Sequence, residues 1–403
     1  MTTQHIDTLI VGAGQAGLAT GYHLARLGRE FLIVDGGARV GDNWRCHYDS
    51  LRLYSPATFD GLPGMDFPGD PWHFPGKDEV ADFLEQYAVE MELPVRMQTR
   101  IDRLAPRDDG GFTAHLGSQA IECENVVVAT GTFGRNPHVP DVAASLGPQI
   151  RQVHSADYKN PTQLLPGATV VVGASHSGCD IAYELAQDRP TILVGPDRGN
   201  IPLEWDSARI KVALPVIVFL WKHVLTRRTP MGRKEMAKVR SHGAPTTRVK
   251  RHHLTERGVE RIEHKVTGTS ADGRPVLADG RVLDVANVVW ATGFRPDFSW
   301  IEAPLADDDG WPREYRGVTD IPGLFFCGLA FQYAFGSMVL PGVGRDAAYV
   351  ASRIARRGSD RAARTHDPAR AHTRDRDHAP TGATTPARAP TGATVPTRAP
   401  GSR

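Results

Sequence analysis

The four cysteines, at positions 46, 123, 179 and 327, form no C-x-x-C pair. A redox-active dithiol needs a second sulfur placed to resolve the first, so disulfide exchange of the thioredoxin-reductase kind is excluded. An excess of one charge sign is also missing. Lys and Arg total 47 against 46 Asp and Glu, a formal net charge of +1, which removes the electrostatic reason to expect nucleic acid. A small molecule is the expected partner, and association of two copies as a homodimer is left open. No apolar run approaches the roughly 20 residues that cross a bilayer. The nearest, "ALPVIVFLW" at 213–221, lies between Lys211 and the basic Lys222, Arg227 and Arg228. It reads as a partly buried helix rather than a membrane-surface segment, because short apolar runs are usually core. The opening "MTTQHIDTLIVGAG" has no charged stretch and no cleavage site ahead of its apolar run, and the unpaired cysteines suit a reducing compartment; the expected location is the cytoplasm. Metal-ligand spacing is lacking as well. His252 and His253 are adjacent, their side chains are expected to diverge, and no H-x-x-x-H or cysteine cluster supports a metal site.

What is present is a chain of 403 residues, 40% hydrophobic and 23% charged, in which apolar runs repeatedly precede glycine-rich turns. "DTLIVGAG", "EFLIVDGG", "NVVVATG", "TVVVGAS", "TILVGP", "NVVWATG" and "GLFFCG" read as strands, and "LATGYHLARLG" and "DIAYELAQ" as helices between them. That alternation predicts an α/β fold of two Rossmann-like dinucleotide-binding domains, the second inserted into the first. The expected division is 1–158 and 294–356 for the first domain, 159–293 for the second, and 357–403 for a disordered tail rich in Pro, Thr and Arg. After Ile354 the only large aliphatic residue is Val395 and there is no aromatic. Such a segment cannot bury enough surface to offset the entropy of ordering.

Two turns carry the chemistry. Gly12, Gly14 and Gly17, with Gln15 and Ala16 between them, fit G-x-G-x-x-G. The first glycine allows the tight turn, the second admits a pyrophosphate to the backbone, and the third lets the helix pack on the strand. Asp35, eighteen residues after Gly17 at the end of the next predicted strand, is placed to accept hydrogen bonds from an adenosine ribose. The second turn, from Gly173 to Gly178, has Ser175 where the first has its middle glycine, followed by His176 and Ser177. Seventeen residues after Gly178 stands Gly195 instead of an acid, with Arg198 close behind. Loss of the acid and gain of an arginine favour the 2'-phosphate of NADP. A flavin and the nicotinamide that reduces it would need one turn each.

These turns, the "ATG" tripeptides at 129–131 and 291–293, and "GDNWRCHYDSLRLYSP" at 41–56 together resemble the flavin-containing monooxygenases, in particular bacterial relatives of the plant YUCCA type, over about residues 5–355. The resemblance implies FAD in the first site and NADPH in the second. It implies an FAD- and NADPH-dependent monooxygenase in which reduced flavin reacts with O2 to give a C4a-hydroperoxide that passes one oxygen to a nucleophilic heteroatom or carbonyl carbon of a small or medium apolar substrate. By the same resemblance Trp44 and Arg45 lie close to the cofactor, Ala129, Thr130 and Gly131 form a strand end beside FAD, Ala291, Thr292 and Gly293 mark the crossing between domains, and Gly328 and Gln332 approach the flavin. The family pattern F-x-G-x-x-x-H-x-x-x-(Y/W) is half present, with His154 and Tyr158 in place but Pro148 and Ile150 at its first two positions. His154 is therefore expected to be structural, and no catalytic side chain is assigned. Two alternatives stay open: an NADPH oxidase or reductase passing electrons to a quinone or protein, and a redox-sensing flavoprotein with little turnover.

Overall fold

A computed structural model describes residues 3–131, 136–201, 203–205, 207–242, 245–305, 307 and 310–366. Along the chain, β1 (Thr3–Val11) leads into α1 (Gln15–Arg26), β2 (Phe31–Val34), the short α2 (Asp42–Arg45) and α3 (Lys77–Glu90). Strand β3 (Val95–Arg96) and an antiparallel hairpin, β4 (Arg103–Pro106) with β5 (Phe112–Leu116), precede β6 (Gln119–Val128). Next come β7 (Arg151–His154), β8 (Thr169–Val172), α4 (His176–Leu185) and β9 (Thr191–Val194). An excursion carries α5 (Ile210–Phe219), one π-helical turn (Leu220–Val224), α6 (Pro230–His242) and α7 (Arg251–Glu256) before β10 (Glu260–Ile262). The hairpin β11 (Val266–Thr269) and β12 (Pro275–Leu277) is followed by β13 (Asn287–Trp290), β14 (Glu314–Tyr315), β15 (Val318–Thr319), β16 (Leu324–Phe326) and α8 (Leu340–His366).

Two main sheets result. The first has the order β14-β15-β16-β6-β1-β2-β3, with β5 also paired to β6 and β4 to β5; the second has the order β10-β9-β8-β13-β7 and is parallel throughout. All seven predicted strands are present, as β1, β2, β6, β8, β9, β13 and β16, and the two predicted helices are α1 and α4. They were legible because strands covered on both faces are apolar without interruption. Leu9 joins the cluster on one face of the first sheet and Ile10 the cluster on the other; Val170 and Val171 divide the same way in the second sheet. Each such side chain contributes about 1.5–3 kcal/mol on burial.

The strand β7 already belongs to the second sheet, earlier in the chain than the expected division after 158. Its residues are held there by pairing from Arg151 to Asn287 through His154 to Trp290. The chain from 357 to 366, placed in the expected tail, is helical as the end of α8; the ten-residue Pro/Thr repeat that begins at 381 lies outside the described residues. No helix among the described residues is long and apolar enough to cross a membrane.

Candidate active site

Both glycine turns sit where a strand hands over to a helix, and both are built alike. Gly12 has a φ of +114° and a Cβ there would lie 2.5 Å from the carbonyl oxygen of Ala129; Gly173 has a φ of +113° and would meet that of Ala291 at 2.2 Å. This explains the two ATG tripeptides. Each supplies the neighbouring strand end against which the turn closes, with Ala129 N donating to Val11 O and Ala291 N to Val172 O, both at 2.8 Å. Gly131 and Gly293 then take positive φ, +76° and +82°, to leave the strand. Thr292 Oγ1 donates to His138 O, and Gly293 O accepts from His138 N, which ties the second tripeptide to the segment crossing from the first sheet.

The third glycines are forced by packing. A Cβ on Gly17 would fall 1.8 Å from Gly12 O, and one on Gly178 would fall 1.7 Å from Gly173 O. The helix N-caps are Gly14 for α1 and Ser175 for α4, and neither helix has a side-chain cap. The first-turn amides, from Gln15 and Ala16 in α1 and from His176 and Ser177 in α4, thus face outward at the positive end of each helix, an arrangement suited to phosphate. Space in front of Gly14 is open, with Asn43 Nδ2 at 3.7 Å from a built Cβ. Asn43 was missed from sequence, although it stands beside Trp44.

Asp35 is pinned at the end of β2: Oδ2 accepts from Ala13 N and Oδ1 from Gly37 N, each at 2.8 Å. Each oxygen keeps a lone pair for a ribose hydroxyl. The returning segment closes over the first turn, with Gly328 at φ +88° and a built Cβ 2.7 Å from the Ala16 side chain. Trp44 Nε1 and Gln332 Nε2 are buried donors with no hydrogen-bond partner among the described residues. Unpartnered buried donors are costly, and a polar ring system docked beside them would satisfy both. Arg45 behaves differently. Its guanidinium is taken by Asp82 and Glu85 of α3, each at 2.7 Å, and by Val40 O at 2.8 Å, so its charge secures α2 to α3.

In the second domain Gly195 ends β9, where Arg261 donates to Gly195 O at 2.6 Å and to the carbonyls of Leu193 and Ile262. Arg261 lies far along the sequence and gave no signal in it. Arg198 is half-buried three residues past Gly195. The His176 ring packs 4.4 Å from that of Tyr54, and burial lowers its pKa, with Asp180 opposing. Asp180 is itself buried on α4 and receives Tyr48 Oη, Tyr54 Oη and Arg248 Nη2, all at 3.1 Å. His154 is buried at the end of β7, edge-on to Phe294 at 5.4 Å, with its pKa lowered by burial.

Between these parts lies a narrow apolar recess with about 10 Å³ free, room for about one water. Tyr54, Leu203, Trp205, Leu214, Ile217 and Trp221 form most of its wall, with Thr247 supplying a hydroxyl. Trp205 Nε1 and Thr247 Oγ1 are buried without a partner among the described residues. One side of the recess reaches the second turn through Tyr54 on His176. The other reaches the returning segment, because Trp221 packs 5.1 Å from Phe335, Phe335 N donates to Leu225 O, and Arg227 Nη1 donates to Gln332 O. No sequence pattern joins residues 54, 201–221 and 247, so the recess was illegible before the fold. Asp60 was missed too: it is fully buried, accepts from Ser55 Oγ at 2.5 Å, and burial pushes it up to about 8 against that hydrogen bond.

The expectation that His252 and His253 diverge is corrected. Their rings lie 4.0 Å apart because the start of α7 turns both toward Glu204, and the three side chains place ligand atoms within 4.8 Å of one another. Lys250 Nζ already sits 2.7 Å from Glu204 Oε1, which opposes a cation there.

Two glycine-rich strand-to-helix turns, one on a mixed sheet and one on a parallel sheet, are the frame of a dinucleotide-dependent oxidoreductase. A family model described as pyridine nucleotide-disulphide oxidoreductase matches residues 9–204. The chain is 40% identical to an uncharacterized CzcO-like oxidoreductase of Geobacillus kaustophilus, over 87% of this chain and 99% of that one. It is 26% identical to a probable indole-3-pyruvate monooxygenase, YUCCA1, of Arabidopsis thaliana, over 77% of this chain and 82% of that one. A flavin-containing monooxygenase from Stenotrophomonas maltophilia has the same fold, with a TM-score of 0.68 at 23% identity, over 87% of this chain and 98% of that one. The chain belongs to the family of the CzcO-like oxidoreductases, and beyond them it is similar to flavin-containing monooxygenases. The cofactors of the flavin-containing monooxygenases are FAD and NADPH.

Proposed function

We propose that this enzyme uses NADPH and FAD to place one atom of O2 on a small apolar molecule, at a nitrogen, sulfur or carbonyl carbon, and that the recess is the point at which the side chains part to admit it. The observation that carries the reading is the position of the recess, walled on one side by Tyr54 against His176 of the second turn and on the other by residues bonded to the Gln332 segment. FAD, when bound, supplies the two-electron exchange with NADPH and the reaction with oxygen. The first turn, Gly12 to Gly17, holds its pyrophosphate on the α1 amides, Asp35 takes the ribose, and Trp44 and Gln332 donate to its ring system. Ala129 to Gly131 and Gly328 close the backbone around it. The second turn, Gly173 to Gly178, holds NADPH through the α4 amides and the Ser175 hydroxyl, with Arg198 toward the 2'-phosphate and Ala291 to Gly293 at the crossing.

The division of labour follows from what each part lacks. The recess has an apolar wall and two unpartnered donors, so it excludes water and orients a substrate that carries one hydrogen-bond acceptor. We assign the domains accordingly: FAD to the first sheet, NADPH to the second.

The test is product analysis with a panel of aryl sulfides, tertiary amines and cyclic ketones, beside Leu214→Trp, which fills the recess. The wild type is expected to give an oxygenated product with at least one class. The variant is expected to lose product, at least about tenfold in kcat/KM, while NADPH still reduces its flavin at the wild-type rate. Complete conversion of NADPH consumption into hydrogen peroxide across the whole panel would instead favour an oxidase.

A further inference from the structure

We propose that the face formed by α5 and the start of α6 docks this protein on an anionic lipid bilayer, with α5 lying in the headgroup layer. Surface helices of globular proteins are apolar on one stripe and polar on the other. Helix α5 is apolar on both. Its inner residues Ile210, Leu214 and Val218 are buried in a cluster with Phe59, Trp72 and Phe74. Its outer residues Val212, Val216 and Phe219, spaced as one helical stripe, are 76%, 57% and 57% exposed. Leu220 and, on α6, Met231 at 59% extend the same stretch of chain. Five of the eleven large apolar side chains exposed among the described residues thus fall within residues 212–231, whereas single exposed apolar residues elsewhere are ordinary.

Charge identifies the occupant. Residues 207–242 contain nine Lys and Arg and one acid, Glu235, in a chain whose formal net charge as a whole is only +1. Arg227 and Arg240 turn inward to Glu314. Arg209 and Lys211 stand exposed at the start of α5, and Arg228, Arg233 and Lys234 stand exposed beyond its end. The bases therefore flank the apolar stripe instead of interrupting it. Basic groups at the rim with aliphatic and aromatic side chains between them suit a plane of phosphates over acyl chains, the composition of an in-plane interfacial helix. The inner residues Leu214 and Ile217 of the same helix line the recess, so docking would place a lipophilic substrate's entry at the bilayer surface. That consequence rests on the substrate reading of the recess; the docking itself does not.

The experiment is co-sedimentation of the full-length, flavin-loaded protein with vesicles of phosphatidylglycerol and phosphatidylcholine, or of phosphatidylcholine alone, at low and high salt. Binding to the anionic vesicles, weakened by salt and absent with phosphatidylcholine, is expected. Val216→Ser combined with Phe219→Ser should weaken it at least about tenfold, and Arg209→Glu combined with Lys211→Glu should weaken it at low salt and lessen its salt dependence. Both variants should keep flavin content and NADPH turnover in solution, which shows that they are folded. A wild type that stays in the supernatant with anionic vesicles at low salt overturns the proposal. So does a serine variant that sediments like the wild type, or a face that instead joins two copies into a dimer which the serine changes dissolve. Because the readout is sedimentation, a protein that docks but oxygenates nothing leaves this inference standing and removes only the proposed activity.

Discussion

Asp60 has no charge partner, and its second oxygen is buried without a hydrogen bond among the described residues. Burial lifts its pKa from 3.8 to about 8, so the folded protein binds a proton that the unfolded chain has released at neutral pH. A group raised in the folded state contributes its full stability below the unfolded value and loses it as pH rises through the folded value. Between about pH 6 and about pH 9 the wild type should therefore lose thermal stability, and Asp60→Asn should flatten that loss, as read by Tm at each pH. An equal fall in the variant would assign the pH dependence elsewhere. Gln332 offers a second residue-scale check. Gln332→Leu keeps the volume and removes the unpartnered donor. It should weaken flavin retention by about 1–2 kcal/mol, a factor of roughly 5–30 in Kd, and should also lower Tm of the apoprotein, because Leu329 N loses its Gln332 Oε1 acceptor at 3.3 Å. The glycines of both turns and Asp35 were legible in sequence because their spacing is the geometry. Asp60 was not, because a lone acid in a loop looks solvated until its surroundings are known.

A buried carboxylate is one of the ties between the β9–β10 excursion and the rest of the protein. Glu314 of β14 accepts from Arg227 and Arg240, with Arg240 at 3.4 Å, and from Gly317 N at 2.8 Å. Burial raises its pKa while the two arginines oppose. Removing one partner from such a buried set leaves uncompensated charge, so Glu314→Ala should destabilise by about 3–5 kcal/mol in denaturant unfolding. It should also loosen the recess, since Arg227 carries the link to Gln332. A change within about 0.5 kcal/mol would show that the pairing is incidental. The sheets were legible as elements because their strands are buried on both faces and read as unbroken β-branched runs. Strands of two or three residues, such as β3, β14 and β15, carry no periodicity and emerged only with their partners.

At the scale of the molecule, two copies of one architectural idea share one chain, and they differ at Gly14 against Ser175 and at Asp35 against Gly195. Beyond Ile354 the sequence holds one large aliphatic residue, Val395, and no aromatic. A chain truncated after His366 should therefore retain its flavin and its turnover, measured per mole of flavin; a loss of more than about half would give residues 367–403 a part in catalysis. The central claim is that the first turn holds FAD and the second NADPH, independently. Both N-cap positions, Gly14 and Ser175, tolerate aspartate, a good helix cap that places a carboxylate where phosphate would bind. The decisive measurement is an anaerobic titration with NADPH, following the flavin absorbance of the wild type, Gly14→Asp and Ser175→Asp. The account expects folded Gly14→Asp without flavin, and Ser175→Asp with full flavin that needs at least about tenfold more NADPH for half reduction, the loss of one charge-assisted contact or more. Ser175→Asp that purifies without flavin, or that is reduced as readily as the wild type, would contradict it.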